Sequence, residues 1–151
     1  MDYDVVIIGA GVVGLAVARE LAETSNKTVL IIEKEANFGQ GISSRNSEVI
    51  HSGIYYPPDS LKAKFCTRGR ELTYDFCQKH QIWHEQCGKL VIAEENQLDD
   101  LEQLYNRSIE NGVPDTRIID QNELISLEPQ IRGNTALFVG CTGIMSAHEF
   151  M

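Results

Sequence analysis

A glycine-rich turn between an apolar strand and a helix constrains this chain more than any other feature. The turn, Gly9–Gly14, carries glycine at its first, third and sixth positions and directly follows the apolar run Val5–Ile8. Helix-forming residues 15–21 come next, and a second apolar run, residues 28–32, ends at Glu33. Strand, glycine turn, helix, strand and acid is the order of a dinucleotide-binding βαβ unit.

Each residue of the turn has a predicted role in binding a dinucleotide. Gly9 permits a tight turn out of the strand, and Gly11 lets the backbone approach a pyrophosphate closely. Gly14 allows the helix to pack tightly against the sheet. The free N–H groups at the helix start then face the phosphates at the positive end of the helix dipole, and Val12 and Val13 are included in the predicted binding site.

The acid at the end of the second strand predicts how the adenosine is bound. Glu33 lies nineteen residues after Gly14, where a carboxylate can accept hydrogen bonds from ribose hydroxyls. It would repel a 2′-phosphate, which argues against NADP. We include the neighbouring Lys34 in the predicted binding site. These residues alone do not separate FAD from NAD.

A second polar segment is a further candidate for phosphate binding. Small hydroxyls, an amide and a guanidinium can satisfy phosphate oxygens. The same pattern is typical of a capped loop that leads into a helix over residues 47–51 and ends at Gly53, and both interpretations stay open. The candidate residues are Ser43, Ser44, Arg45, Asn46 and Ser47.

Composition limits the partners and the compartment. The chain has 151 residues, 42% of them hydrophobic, and a net charge of −9, so nucleic acid is an unfavourable partner. The four cysteines show neither a CxxC pattern nor a paired spacing with histidine, which favours free thiols over disulfides and predicts no metal site. The longest apolar run is too short to span a bilayer and follows an acidic start, so we expect no transmembrane segment and a cytoplasmic location.

The remaining sequence predicts alternating helices and strands. Ser60 is a candidate N-cap for a helix that extends to about Gln81, and Leu61, Phe65, Leu72 and Phe76 lie on one apolar face of it. Further predicted elements are a strand at 89–93, a helix at 96–111, strands at 117–120 and 136–139, and between them a short helix that Asp120 caps and Pro129 closes.

The predicted fold class is α/β: a Rossmann-like βαβ unit followed by the start of a second, α+β domain. The strand Val5–Ile8 is apolar on both faces, which is typical of a central parallel strand. Only residues 28–33 supply a parallel neighbour for this strand, whereas a doubly wound sheet needs more strands. We therefore expect a truncated, incomplete sheet, and an isolated chain that is poorly soluble and inactive.

The segment at residues 44–57 resembles the second FAD motif of the L-2-hydroxyglutarate dehydrogenase/oxidase family, within the D-amino-acid-oxidase-like FAD oxidoreductases. Residues 60–66 and 87–91 continue the resemblance, and Glu128-Pro129 and 142–144 resemble later landmarks. Arg45 and Glu48 stand where typical members carry His and Gly. The resemblance covers the N-terminal third of a full member. It implies an FAD-binding domain at 1–83 and the beginning of a substrate domain at 84–151.

The family reaction implied by this resemblance is oxidation of a small 2-hydroxy acid, with hydride transfer to the flavin and an electron acceptor that the sequence does not identify. His51 lies in the segment that resembles the flavin-facing part of the family, and imidazole exchanges protons near neutral pH. It is therefore a candidate base, or a residue that only hydrogen-bonds the flavin or the backbone. Amine or amino-acid oxidation, and a non-catalytic fragment, are the alternative functions.

Overall fold

The structure, a computed structural model, describes residues 2–151, which form two compact units. The first comprises the chain up to Glu48 together with Ser146–Met151, and the second comprises Val49–Met145. The boundaries of the two units reflect which residues of this chain pack against one another. The predicted division at residues 83 and 84 concerns functional domains and stays a prediction.

The first unit contains the predicted βαβ arrangement. Strand β1 (Val5–Ile8), helix α1 (Val12–Thr24) and strand β2 (Val29–Ile32) follow one another, and the two strands pair in parallel with Val5 opposite Val29. Runs of β-branched and other aliphatic residues favour both strands, and the intervening helix is the crossover that parallel pairing requires. The sequence-based prediction of this unit is confirmed.

Much apolar surface of this βαβ arrangement is open. Ile8 is 88% exposed and Val13 is 74% exposed, and Val6, Val17 and Ile32 are exposed as well. Within residues 2–151, β2 is the only strand that pairs with β1. Strand β1 was predicted to be a central strand because it is apolar on both faces, but the described residues leave much of its apolar surface exposed.

The second unit consists of two antiparallel sheets and three helices. In chain order the elements are β3 (Val49–Ile50), α2 (Leu61–His80), β4 (His84–Glu85), β5 (Leu90–Ala93), α3 (Leu98–Glu110), β6 (Thr116–Asp120), α4 (Gln121–Leu127), β7 (Thr135–Val139) and β8 (Gly143–Met145). The strands pair in the orders β3-β8-β4 and β5-β7-β6.

The core of the second unit is built on the two faces of β7, the central strand of its sheet. Leu137 and Val139 are fully buried in a cluster with Leu101 of α3. Ala136, whose side chain points to the opposite face, is buried with Leu124 of α4. Alternation along a strand therefore places one helix on each face of this sheet.

Helix α2 confirms its predicted limits but not its predicted buried face. The Ser60 side chain accepts a hydrogen bond from the Ala63 N–H at 3.1 Å, as an N-cap does, and the helix continues to His80. Leu61 and Phe65 are 69% and 70% exposed, and Leu72 is also exposed. The residues that α2 buries are Ala63, Arg70 and Cys77.

The prediction of a helix at residues 47–51 is wrong. Asn46 Oδ1 accepts a hydrogen bond from the Glu48 N–H at 2.7 Å, which makes a local turn rather than a helix cap. Glu48 has a φ of 57°, a left-handed conformation that a helix cannot continue. Val49 and Ile50 then pair with Ile144 and Gly143, so tertiary pairing replaces the local helix.

The other predicted elements are confirmed with small shifts of their ends. Residues 95–97 form a 3₁₀ turn before α3, and Asp120 caps α4 by accepting a hydrogen bond from the Glu123 N–H. The sequence did not predict the short strands β3, β4 and β8, or the last helix, α5 (Ala147–Phe150). Within residues 2–151, no helix combines the length and the apolarity needed to cross a membrane.

The packing around β7 predicts that alanine substitutions at two paired aliphatic positions will lower the free energy of unfolding by very different amounts. Leu137→Ala removes a side chain with 0% exposure and should lower the free energy of unfolding by about 2–5 kcal/mol. Ile118→Ala, at the neighbouring position of β6, should cost less than about 1 kcal/mol because Ile118 is 44% exposed. Chemical denaturation of both variants measures this difference, and equal losses would contradict the proposed core.

Candidate functional site

The glycine turn brings the start of α1 against the end of β1. Gly9 has a φ of 102°, which an L-residue rarely adopts, and its N–H donates to the Ile32 carbonyl at 2.7 Å. A Cβ atom on Gly14 would collide with the Gly9 carbonyl oxygen. The first helical turn therefore reaches this position only with glycine at residue 14.

Glu33 is fixed by two backbone donors at the carboxyl end of β2. The Ala10 N–H donates to Glu33 Oε2 at 2.7 Å, and the Glu35 N–H donates to Oε1 at 3.0 Å. These bonds, the one from Ala10 foremost, lower the pKa of the Glu33 carboxyl below its ordinary value. Each oxygen keeps a lone pair that can accept a further hydroxyl hydrogen bond.

Ser43 lies at the N-terminus of α1. Its Oγ accepts a hydrogen bond from the Val12 N–H at 3.0 Å, and a Cβ atom on Gly11 would lie 3.0 Å from the same oxygen. The Ser43 hydroxyl keeps its own proton to donate. Helix N-terminus, serine hydroxyl and bare Gly11 backbone together form a surface suited to an anion.

A cleft of about 460 Å³ in the first unit collects six of the predicted binding residues. Three more predicted residues, Val12, Val13 and Gly14, line an adjoining open recess that also includes Gly9, Gly11 and Ser43. Two cations, Lys34 and Arg45, stand at the cleft with the Glu33 carboxylate. The six residues that line the cleft are Gly9, Gly11, Glu33, Lys34, Ser43 and Arg45.

Three other predicted residues line neither of these cavities. The Ser44 hydroxyl donates to the Gly41 carbonyl at 3.2 Å, and the Asn46 amide donates to the Ser43 carbonyl at 2.7 Å. Ser47 is exposed. Ser44 and Asn46 therefore shape the loop that positions Ser43, and contact of these three side chains with a cofactor stays a prediction.

His51 lies in the second unit, directly after β3, and its side chain is exposed. It lines a small cavity of about 10 Å³, called here the His51 cavity, which has room for roughly one water molecule. The other lining residues are Ser52, Gly53, Tyr55, Tyr56, Lys89 and Thr142.

Two side chains of α2 hold the backbone at His51. The Cys66 thiol donates to the His51 carbonyl at 3.4 Å, and burial raises the pKa of this thiol, which keeps its proton available. Arg70, whose side chain is 5% exposed, donates from Nη1 to the Ser52 carbonyl at 3.3 Å. A buried guanidinium thus supports the segment that carries the histidine.

Asn111, at the end of α3, holds the turn that follows His51. Its Nδ2 donates to the carbonyls of Gly53 and Tyr56, at 3.0 and 2.9 Å. One amide group therefore ties both ends of residues 53–56 to a helix that begins more than forty residues later in the chain. These contacts restrict the backbone on the C-terminal side of His51.

The described residues contain no group of three or more His, Cys, Asp or Glu side chains arranged to hold a metal ion. Cys66, Cys77, Cys87 and Cys141 are free thiols. Burial raises the pKa of the thiols of Cys66, Cys77 and Cys141, so these three are poor nucleophiles.

A comparison with protein families distinguishes FAD from NAD as the dinucleotide that this cleft binds. The family model for FAD-dependent oxidoreductases matches residues 4–151. The chain belongs to this family. The prediction of FAD as the cofactor is therefore confirmed, and the bare Gly11 backbone and the fixed Glu33 carboxylate fit its pyrophosphate and ribose.

Curated relatives of this flavoprotein chain are L-2-hydroxyglutarate dehydrogenases. The mitochondrial enzyme of Arabidopsis thaliana is 48% identical over 98% of this chain, and that of Homo sapiens is 43% identical over 98%. The chain spans 31% and 32% of these two relatives, about a third of their length.

Two solved structures share this fold over almost the whole chain. The FAD-bound L-alpha-glycerophosphate oxidase of Mycoplasma pneumoniae matches 99% of this chain with a TM-score of 0.91 at 29% identity, over 41% of its own length. Glycine oxidase of Geobacillus kaustophilus matches 98% with a TM-score of 0.85 at 25% identity, over 42% of its own length.

The sequence analysis of this flavoprotein did not identify every residue that lines the two cavities. Gly39, Gln40 and Gly41 line the cleft, and the only signal for them was the polar, glycine-bearing character of their loop. Lys89 and Thr142 line the His51 cavity, although they are far from His51 in the sequence. Only the pairing of distant strands brings these two residues to the histidine.

The pKa of Glu33 makes its contribution to stability depend on pH. Because the folded-state pKa is lowered, this contribution is fully present above the unfolded-state pKa, about 4.3, and is lost as the pH falls through the folded-state pKa. Glu33→Gln should therefore be less stable than the wild type at pH 7, and the difference should narrow as the pH falls below about 4.3.

Urea midpoints of the flavin-free proteins between pH 7 and pH 3 measure this difference. Glu20→Gln is the matched control, because it removes the same charge from an exposed position on α1. A stability difference for Glu33→Gln that stays constant down to pH 3 would contradict the role of the ionised carboxylate.

Proposed function

We propose that this chain supplies the nucleotide-binding turn and a histidine of an FAD-dependent oxidoreductase that oxidises a small 2-hydroxy acid resembling L-2-hydroxyglutarate. The observation that carries the proposal is the 48% identity, over 98% of this chain, to a relative named L-2-hydroxyglutarate dehydrogenase. FAD, when bound, supplies the acceptor for the hydride that leaves the substrate carbon.

The residues of the cleft divide the task of binding FAD between them. Glu33, ionised and fixed by the Ala10 N–H, is proposed to accept the ribose hydroxyls. The N-terminus of α1 and the Ser43 hydroxyl are proposed to bind the pyrophosphate, and Lys34 and Arg45 add positive charge at the same cleft. Ser44, Asn46 and Ser47 complete the proposed set, the first two through the shape of the loop.

His51 is proposed to accept the proton that the substrate hydroxyl loses. An imidazole can do this near neutral pH when it reaches the hydroxyl at hydrogen-bond distance. The exposed side chain leaves its nitrogens accessible, and the bonds from Cys66 and Arg70 hold the backbone beneath it. A residue that must meet a substrate oxygen within a few tenths of an ångström benefits from such support.

Oxidation of an amine or amino acid is the second candidate function. It is favoured by the TM-score of 0.85 to a glycine oxidase, although the 25% identity of that match is well below the identity to the 2-hydroxy-acid dehydrogenases. In that reaction His51 would face an amine rather than a hydroxyl. The two candidates share the FAD cleft and differ only in the substrate.

Three further expectations belong to the same proposal. Residues 1–83 are proposed as part of the FAD-binding domain and residues 84–151 as the beginning of the substrate domain. A small organic acid and an electron acceptor are the proposed partners. The cytoplasmic location stays a prediction, and the curated relatives are named mitochondrial.

Gly11→Val tests the flavin cleft. A side chain at residue 11 would meet Ser43 Oγ and cover the backbone that approaches the pyrophosphate, so flavin binding should be abolished. Gly69→Ala is the control, because a Cβ atom there meets nothing within 4 Å. Flavin content is measured from the visible absorbance of each purified protein. A Gly11→Val protein as yellow as the control would contradict the proposed cleft.

His51→Ala tests the proposed base in the flavin-loaded protein that contains this chain. Turnover of L-2-hydroxyglutarate should fall by roughly a hundredfold or more while the flavin is retained. His80→Ala, an exposed histidine on α2, should keep wild-type turnover. Undiminished turnover in a flavin-loaded His51→Ala protein would remove this residue from the mechanism, and loss of the flavin alone would make it a binding residue.

A further inference from the structure

The His51 cavity contains a lysine whose charge is not paired with a carboxylate. Lys89 Nζ donates to the Tyr55 hydroxyl at 2.8 Å and lies 4.4 Å from the centroid of the Tyr55 ring. Among residues 2–151, no carboxylate oxygen lies within 4.0 Å of this ammonium. In a chain with a net charge of −9, an ammonium held by a neutral phenol remains available to an anion.

The backbone of Lys89 is firmly placed. Its N–H donates to the Val139 carbonyl at 3.1 Å, and its own carbonyl accepts from the Val139 N–H at 2.9 Å. The Val139 carbonyl also accepts from the Thr142 N–H at 3.3 Å, and the Gly88 N–H donates to the Thr142 carbonyl at 2.9 Å. One network of backbone bonds therefore fixes Lys89 and Thr142 with respect to each other.

Thr142 provides a second and independent indication of a ligand. The residue is 4% exposed, it lines the His51 cavity, and its Oγ1 has no hydrogen-bond partner among residues 2–151. A buried hydroxyl is normally paired, either with protein or with a bound molecule. The cavity has room for one water-sized group beside it, which matches a single oxygen atom rather than a carbon chain.

We propose that the His51 cavity recognises a carboxylate group of the substrate. Lys89 Nζ binds the carboxylate through a charge-assisted hydrogen bond, and Tyr55 orients the ammonium. Thr142 Oγ1 donates to the oxygen that enters the cavity, or to a water that bridges to it. The inference rests on the proposed function, because the histidine at this cavity is the one proposed to act on the substrate.

This recognition suits both candidate reactions. A 2-hydroxy acid and an amino acid each carry a carboxylate beside the reacting carbon, and the proposed dicarboxylic substrate carries a second one. The bond to Lys89 is made to a group that does not react. It therefore contributes to substrate binding in the ground state and the transition state alike, and its loss should raise KM more than it lowers kcat.

Titration of the flavin-loaded protein with glutarate tests the proposal, because this dicarboxylate has no hydroxyl to oxidise. Lys89→Met should weaken glutarate binding roughly tenfold to a hundredfold, and Lys89→Arg should restore most of it. Lys62→Met is the matched control, since Lys62 Nζ lies 5.7 Å from the Tyr56 ring centroid and does not line the cavity. Equal flavin content in all variants establishes that they are folded.

Two further measurements separate carboxylate recognition from a structural role. The KM for L-2-hydroxyglutarate should rise with Lys89→Met by the same factor as the glutarate dissociation constant. Thr142→Val, which keeps the shape but removes the hydroxyl, should weaken glutarate binding severalfold. Unchanged glutarate affinity in Lys89→Met, or no glutarate binding by the wild-type protein, would overturn the proposal.

The same data distinguish failure of this site from failure of the proposed function. A wild-type protein that binds glutarate in a Lys89-dependent way, yet oxidises amino acids and not 2-hydroxy acids, would overturn the proposed substrate and support the carboxylate site. A protein that oxidises L-2-hydroxyglutarate with the same KM in wild type and Lys89→Met would support the proposed function and overturn the site.

Discussion

The first unit of this chain depends on one close contact, in which the first turn of α1 approaches the Gly9 carbonyl. The absence of a side chain at Gly14 allows it. From this approach follow the bond from the Val12 N–H to Ser43 and the bond from the Ala10 N–H to Glu33. A carboxylate, a hydroxyl and a helix terminus thus meet at one cleft because a single Cβ atom is missing.

The second unit positions its functional side chains by a different means. No regular element carries His51, since β3 ends immediately before it. Instead, side chains of α2 and α3 donate to successive backbone carbonyls of this loop, from Cys66, Arg70 and Asn111. Each of these bonds satisfies a carbonyl that the loop cannot pair with its own backbone. Four side-chain hydrogen bonds therefore hold the loop in its irregular conformation.

The parts of the fold that the sequence predicted are those set by local pattern. The βαβ unit follows from apolar runs and three glycines, and the limits of α2 and α4 follow from Ser60 and Asp120, whose side chains cap them. The helix expected at residues 47–51 does not form, because Val49 and Ile50 pair with β8, almost a hundred residues away. No local window contains that partner.

The candidate site shows the same limit. The spacing of the glycines and Glu33 predicts their role. Lys89 and Thr142 lie in segments that resemble the family, but the sequence does not show that both line the cavity at His51, because distant parts of the chain form that cavity. The prediction of a buried apolar face on α2 was wrong for a different reason. Leu61 and Phe65 follow a helical period, and a period shows that residues share a face without showing what covers that face.

The two hydrogen bonds from the Asn111 amide couple the evolution of two distant segments of the chain. Its amide reaches the carbonyls of Gly53 and Tyr56, so neither the end of α3 nor the turn after His51 can shift by itself without breaking a hydrogen bond. An insertion or deletion in either segment would need a matching change in the other. Lineages that alter the length of this turn should therefore also replace the residue at position 111.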